Sequence, residues 1–103
     1  MVVLSAVGSE QDAERIAEVL VERRLAACVN VLPGVKSFYR WEGKTVRDDE
    51  WLMVMKTTAR GFDGLKEALL ELHPYEVPEV VALSIDRGHG PYLDWIDASV
   101  DAP

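Results

Sequence analysis

This chain is poor in cysteine, histidine and basic charge. It has one cysteine, Cys28, and two histidines in 103 residues. A lone thiol excludes an internal disulfide framework. Eleven Lys and Arg stand against 18 Asp and Glu, a formal net charge of −7. A surface without clustered Lys and Arg suits neither a nucleic-acid duplex nor an anionic membrane, so neither is an expected partner. No apolar stretch approaches the roughly 20 residues of a membrane span. Met1–Val7 is too short for a signal-peptide core and runs into Gly8, Ser9 and Glu10. The expected location is therefore the cytoplasm. G-x-S-x-G, P-loop and H-E-x-x-H patterns are all missing, so the reading is of a protein that is not an enzyme.

Apolar residues, in contrast, are abundant. Hydrophobic types make up 49% of the chain, which argues against disorder and for one domain spanning residues 1–103. Met1–Val7 is valine-rich and reads as a buried strand. Ser9 followed by Asp12 resembles a capping box, and Ala13, Ile16, Ala17 and Leu20 recur at helical spacing, so Glu10–Arg24 is predicted as an amphipathic helix. Leu25–Leu32 is a second apolar run, stopped by Pro33-Gly34. Val35–Trp41 alternates as a strand, Glu42-Gly43-Lys44 turns, and Thr45–Thr58 is strand again. Val35–Thr58 is thus a long hairpin with a kink or bulge before each limb. Gly61–Leu72 is a second helix, Glu79–Ile85 a further strand, and Tyr92–Val100 a short helix with Tyr92, Trp95 and Ile96 facing inward. Asp101–Pro103 is expected to fray.

The order is β-α-β-β-α-β plus a terminal helix. This predicts an α+β, ferredoxin-like sandwich with a long hairpin between its second and third strands. Right-handed crossovers put both helices on one face of the sheet. The other face is left bare, yet the strands are apolar in near-continuous runs. Self-association through sheet faces and edges is the expected remedy.

The densest chemistry lies in L-H-P-Y-E-V-P-E, Leu72–Glu79. Pro74 disfavours helix at His73, and Pro78 keeps the chain extended. His73, Tyr75, Glu76 and Glu79 are therefore carried on a stiff connector. Taken with A-A-C-V-N at Ala26–Asn30, S-F-Y-R-W at Ser37–Trp41, Glu50, K-T-T at Lys56–Thr58 and Y-L-D-W at Tyr92–Trp95, the chain resembles the CutA1 divalent-cation tolerance proteins over nearly its whole length. The resemblance implies a homotrimer, similar in architecture to the PII signal-transduction proteins, with sheets joined around a threefold axis. It implies an inter-subunit cleft lined by Cys28, Tyr39, Trp41, Glu50, Lys56, His73, Tyr75 and Trp95, to which the connector adds Glu76. It implies a non-enzymatic role in tolerance of, or response to, divalent cations such as copper. Family members assigned a copper site are described with a cysteine and a tandem His-His, where this chain has Ser5, Leu72 and His73. That site is expected to be absent, because a hydroxyl is a poor copper ligand and leucine is none.

From the residues themselves, Cys28 and His73 are the candidate metal ligands. Thiolate and imidazole suit copper or zinc, and no cofactor is required. Glu50, Glu76, Glu79 or a second subunit would have to complete the coordination shell. The alternatives are that Cys28 is a small buried hydrophobe and that His73 closes a helix. Phe38 and Trp95 are expected in the core or a subunit interface. Tyr39 and Trp41 share a face and are candidates for the cleft. Lys56, if buried, calls for a glutamate partner. Two other roles stay open: a PII-like sensor of small ligands, and a thiol enzyme with a Cys28–His73 dyad.

Overall fold

A computed structural model describes residues 1–101. The elements are β1 (Val2–Val7), α1 (Glu10–Glu22), β2 (Cys28–Trp41), β3 (Lys44–Lys56), α2 (Phe62–Leu72), β4 (Val81–Leu83) and α3 (Gly90–Ser99). The sheet order is β2-β3-β1-β4, and every neighbouring pair is antiparallel. This is the expected ferredoxin-like α+β architecture, with the long hairpin and the C-terminal helix in place.

Local chemistry accounts for most boundaries. Ser9 Oγ accepts the Asp12 amide at 3.1 Å and caps α1. That helix stops at Glu22, two residues short of the predicted end, because Arg24 turns left-handed at φ 59° and the Leu25 amide reaches back to the Leu20 carbonyl at 2.9 Å. The α2 helix ends at His73, which is extended at ψ 132° ahead of Pro74. The hairpin turn has Glu42 and Gly43 both at positive φ, 50° and 79°, as a two-residue turn of the I′ type requires.

Helices cover one face of the sheet. Ile16 and Leu20 from α1 and Leu65 and Leu69 from α2 pack against Val3, Val7, Met53 and Met55, all at 0% exposure. Each such fully buried side chain contributes about 2 kcal/mol of hydrophobic stabilisation before conformational entropy is set against it. The other face carries Leu4, Leu52, Val54 and their neighbours without a helix over them. Leu32, Val81 and Leu83 there are 42%, 45% and 51% exposed.

Three expectations are corrected. The last strand is only Val81–Leu83, shorter than Glu79–Ile85, because it pairs solely with Val2–Leu4 and has no neighbour on its outer edge. Tyr92 and Trp95 do not face inward. They stack on each other at 5.6 Å on the surface, and Ile96 alone of the three is buried, beside Ala27 and Val100. Of the two places expected for Phe38, the core or a subunit interface, the subunit core is excluded: it is 67% exposed on the projecting hairpin. As for the tail, Asp101 is held by its amide to the Arg24 carbonyl at 3.0 Å, while Ala102 and Pro103 lie outside the described residues.

Candidate functional site

A bulge in β2 builds the site. Leu32 pairs with Leu52, but the next pair is Val35 with Glu50, so Pro33 and Gly34 oppose Trp51 alone. Gly34 takes φ 76°, which suits a glycine in such a bulge. The extra residue reverses which side chains of β2 face away from the helices. Before it they are Cys28, Asn30 and Leu32; after it they are Val35, Ser37, Tyr39 and Trp41. Tyr39 and Trp41 thereby join Asp48 and Glu50 of β3 on the open face.

The connector after α2 closes the other side. His73 is 6% exposed and bonds through both ring nitrogens. Its Nδ1 accepts the Tyr75 amide at 3.2 Å, so Nε2 carries the proton and donates it to the Ala6 carbonyl at 2.8 Å. This pins the connector to β1 and aims Tyr75 at the sheet, its ring 4.7 Å from the imidazole. The Tyr75 hydroxyl donates to Glu50 Oε2 at 2.7 Å. Gly8 makes room for it: a Cβ there would stand 3.0 Å from the phenol oxygen.

The resulting cleft encloses about 380 Å³. Tyr39, Trp41 and Tyr75 supply its aromatic walls, and Asp48, Glu50, Glu76 and Glu79 its carboxylates. The Tyr39 hydroxyl donates to Asp48 Oδ2. That bond raises the Tyr39 pKa above its ordinary value. Burial, then the bond to Glu50, raises Tyr75 further. Both phenols therefore stay protonated donors at neutral pH. Glu50 is 7% exposed and has no cationic partner among the described residues.

Of the expected cleft residues, the fold brings together Tyr39, Trp41, Glu50, Tyr75 and Glu76, with His73 directly behind them. Lys56 and Trp95 lie elsewhere in the subunit. Lys56 donates to Asn30 Oδ1, and no pair with Glu50, six residues away on the same strand, is made. Cys28 is also remote from His73. It pairs with Lys56 opposite Val2, whereas His73 reaches Ala6, about 13 Å further along β1. Cys28 is half-buried rather than a core hydrophobe, and no group of three or more His, Cys, Asp or Glu among the described residues is arranged to hold a metal. Asp48 was missed by the sequence reading. Counting back from the Glu42-Gly43 turn puts it opposite Ser37, on the face of Tyr39, and would have found it.

The family profile described as "CutA1 divalent ion tolerance protein" matches residues 1–99. The chain belongs to this family. It is 56% identical over 95 residues to the divalent-cation tolerance protein CutA of Thermus thermophilus, covering 92% of each. Human CutA is 46% identical over 88 residues, and there the match takes 85% of this chain but only 49% of the human protein. A solved structure of the Thermus thermophilus protein superposes with a TM-score of 0.95 at 53% identity, covering 97% of both chains. The PII-like protein CutA from Nostoc superposes at 0.92 with 35% identity, covering 99% of this chain and 98% of that one. The family names speak of cation tolerance and carry no enzymatic activity. No helix among the described residues is long and apolar enough to cross a membrane.

Proposed function

We propose that this is a non-enzymatic homotrimeric protein of divalent-cation tolerance or response, acting in the cytoplasm. The observation that carries the assembly is the open sheet face. Leu32, Val81 and Leu83 expose 42–51% of their surface beside Leu4, Leu52 and Val54, on a sheet whose opposite face packs under α1 and α2. Water-exposed apolar area of this kind marks an association surface. The hairpin beyond the bulge, with Phe38 and Trp41 exposed, supplies an arm for a neighbour. Copies arranged about a threefold axis use both features. Lys56 and Trp95 of a neighbouring copy then complete the cleft that each subunit begins. The family names support the link to divalent cations. Copper or zinc binds weakly in this reading, with His73 and Cys28 as the ligands to test. Metal uptake at His73 has to displace one of its two hydrogen bonds, which weakens it. The free thiol of Cys28 suits a reducing compartment.

Size-exclusion chromatography with light scattering tests the assembly: a three-chain mass is expected, and a clean monomer would sink the reading. Titration of copper(II) and zinc(II), followed by loss of the Cys28 thiol signal and by histidine NMR shifts, tests the ligands. Unchanged signals at both residues remove them as ligands. The cleft itself favours a second reading, a PII-like sensor of small ligands, since it presents aromatic walls and convergent polar groups in a volume typical of ligand pockets.

A further inference from the structure

We infer that the hairpin arm of one copy docks, by the face that carries Phe38, into the groove between α1 and β2 of the next copy. The inference rests on the assembly proposed above and adds which two surfaces meet in it. The arm runs from Val35 to the Glu42-Gly43 turn and back to Asp49. One of its faces carries Tyr39 and Trp41 into the cleft. The other, toward the helix side of the sheet, carries Lys36, Phe38 and Arg40, with Arg47 paired opposite Phe38. Phe38 is 67% exposed, and the Arg47 guanidinium lies 6.0 Å from its ring centre. An apolar ring set among cations is thus presented to water.

The groove exists because β2 is an outermost strand of the sheet. Val29 and Val31 face the helix side of that strand and stay partly exposed beside Val21 of α1, which is 42% exposed. Glu14, Glu18 and Glu22 stand one above another along α1 at four-residue spacing and form the rim. None of the three enters an ion pair among the described residues. The groove is therefore the inverse of the arm, an apolar floor behind a row of carboxylates.

Charge decides the occupant. Residues 35–47 carry four basic side chains, Lys36, Arg40, Lys44 and Arg47, against the single acidic Glu42, a net +3 in a chain whose total is −7. The rest of the chain therefore carries −10, and the arm of one copy is attracted to the body of another. Lys36 and Arg47 share one anion, Asp49, at 3.8 and 3.5 Å, so positive charge is left over on the Phe38 face. Arm and groove cannot meet within one chain. Val31 and Phe38 are seven residues apart on one strand, about 20 Å. The contact thus joins two different patches on two copies, and a head-to-tail contact of that kind closes into a ring when its rotation permits. A threefold ring makes it three times and leaves the bare sheet face, on the other side of β2, to pack around the axis.

Cross-linking of the full chain tests this, in a Cys28→Ser background so that no native thiol competes. Phe38→Cys and Val21→Cys are introduced together and singly, and each assembled protein is treated with a short bismaleimide. The doubly substituted chain should give covalent two- and three-chain bands on a reducing gel, and neither single variant should. Strength gives an independent readout. Phe38→Ala should raise the concentration at which the assembly half-dissociates about tenfold. Arg47→Glu and Glu18→Lys should each raise it about fivefold, and the two together should recover most of that loss. All four positions are exposed, so the subunit fold is kept. Light scattering on the same samples separates the readings. A trimer without the cross-link between positions 38 and 21 overturns the docking and leaves the assembly, as does unchanged strength in Phe38→Ala, Arg47→Glu and Glu18→Lys. A two-chain species that cross-links keeps the docking and removes the trimer, and a monomer removes both.

Discussion

The two faces of the sheet are made from the same strands and meet different fates. On β3, Met53 and Met55 point toward the helices and are fully buried, while Leu52 and Val54, which alternate with them, point the other way and stay partly open to water. Likewise, on β1, Val3 and Val7 are sealed and Leu4 is not. The helix-covered face closes a core within one chain. The other is nearly as apolar, but no element among the described residues lies across it. The contrast teaches that apolar content sets how much surface needs covering, while topology sets how much the subunit can cover alone. Where the open face stops being apolar, past the β2 bulge, the cleft begins.

The comparison breaks most visibly if the open face is charged. Leu83→Asp should leave a folded monomer, costing the isolated subunit less than about 1 kcal/mol because the position is half-exposed, yet should abolish the three-chain species in light scattering. A variant that still assembles would show that the bare face is not the interface. Next in size is the covered face. Met53→Ala should lower the unfolding free energy by about 3 kcal/mol, read from the urea midpoint at unchanged slope. A loss under about 1 kcal/mol would mean that the two faces are equally loosely packed.

The smallest effect sharpens the boundary between faces and cleft. Tyr75→Phe removes the bond to Glu50 and should cost about 1 kcal/mol at neutral pH, since the ring is partly exposed. It should also change the alkaline limb. The folded Tyr75 holds its proton to a pH above its ordinary 10.0. The unfolded chain then releases that proton first, so this stabilisation is complete below pH 10.0, and is lost as pH rises from there toward the folded pKa. Tyr75→Phe should accordingly flatten the fall in stability above that pH. Absorbance titration of tyrosinate should lose its latest component in the same variant. Superimposable alkaline limbs would show that the Tyr75–Glu50 bond does not form.

Most of the fold was legible because its elements carry local signals. Ile16 and Leu20 repeat at helical spacing behind a Ser9 cap, Pro74 marks the end of α2, and Glu42-Gly43 marks the tight turn. The short β4 was less legible. Residues 79–85 have strand-like composition, but only three of them find a partner on β1. Tyr92 and Trp95 misled for a related reason: aromatic content suggests burial, but α3 packs by Ile96 and leaves both rings outside. Within the site, Tyr39, Trp41, Tyr75, Glu50 and Glu76 could be named from motif and alternation. That Lys56 would sit far from Glu50 could have been read as well, since six residues along one strand span about 20 Å, but that His73 would spend both nitrogens on backbone could not, since it depends on where the connector meets β1.

The sequence by itself determined the secondary elements, their order and hence the ferredoxin-like topology, because helical and strand periodicities, caps and turns act over a few residues. It determined the family as well, through motifs in register along the chain. Only the tertiary structure decided that one residue of bulge turns Tyr39 and Trp41 onto the bare face, that Tyr75 crosses to Glu50, and that Glu50 is buried with no cationic partner among the described residues. The Tyr75–Glu50 bond spans 25 positions and the His73–Ala6 bond behind it spans 67, and both are fixed by strand register and chain crossing, which no local pattern encodes.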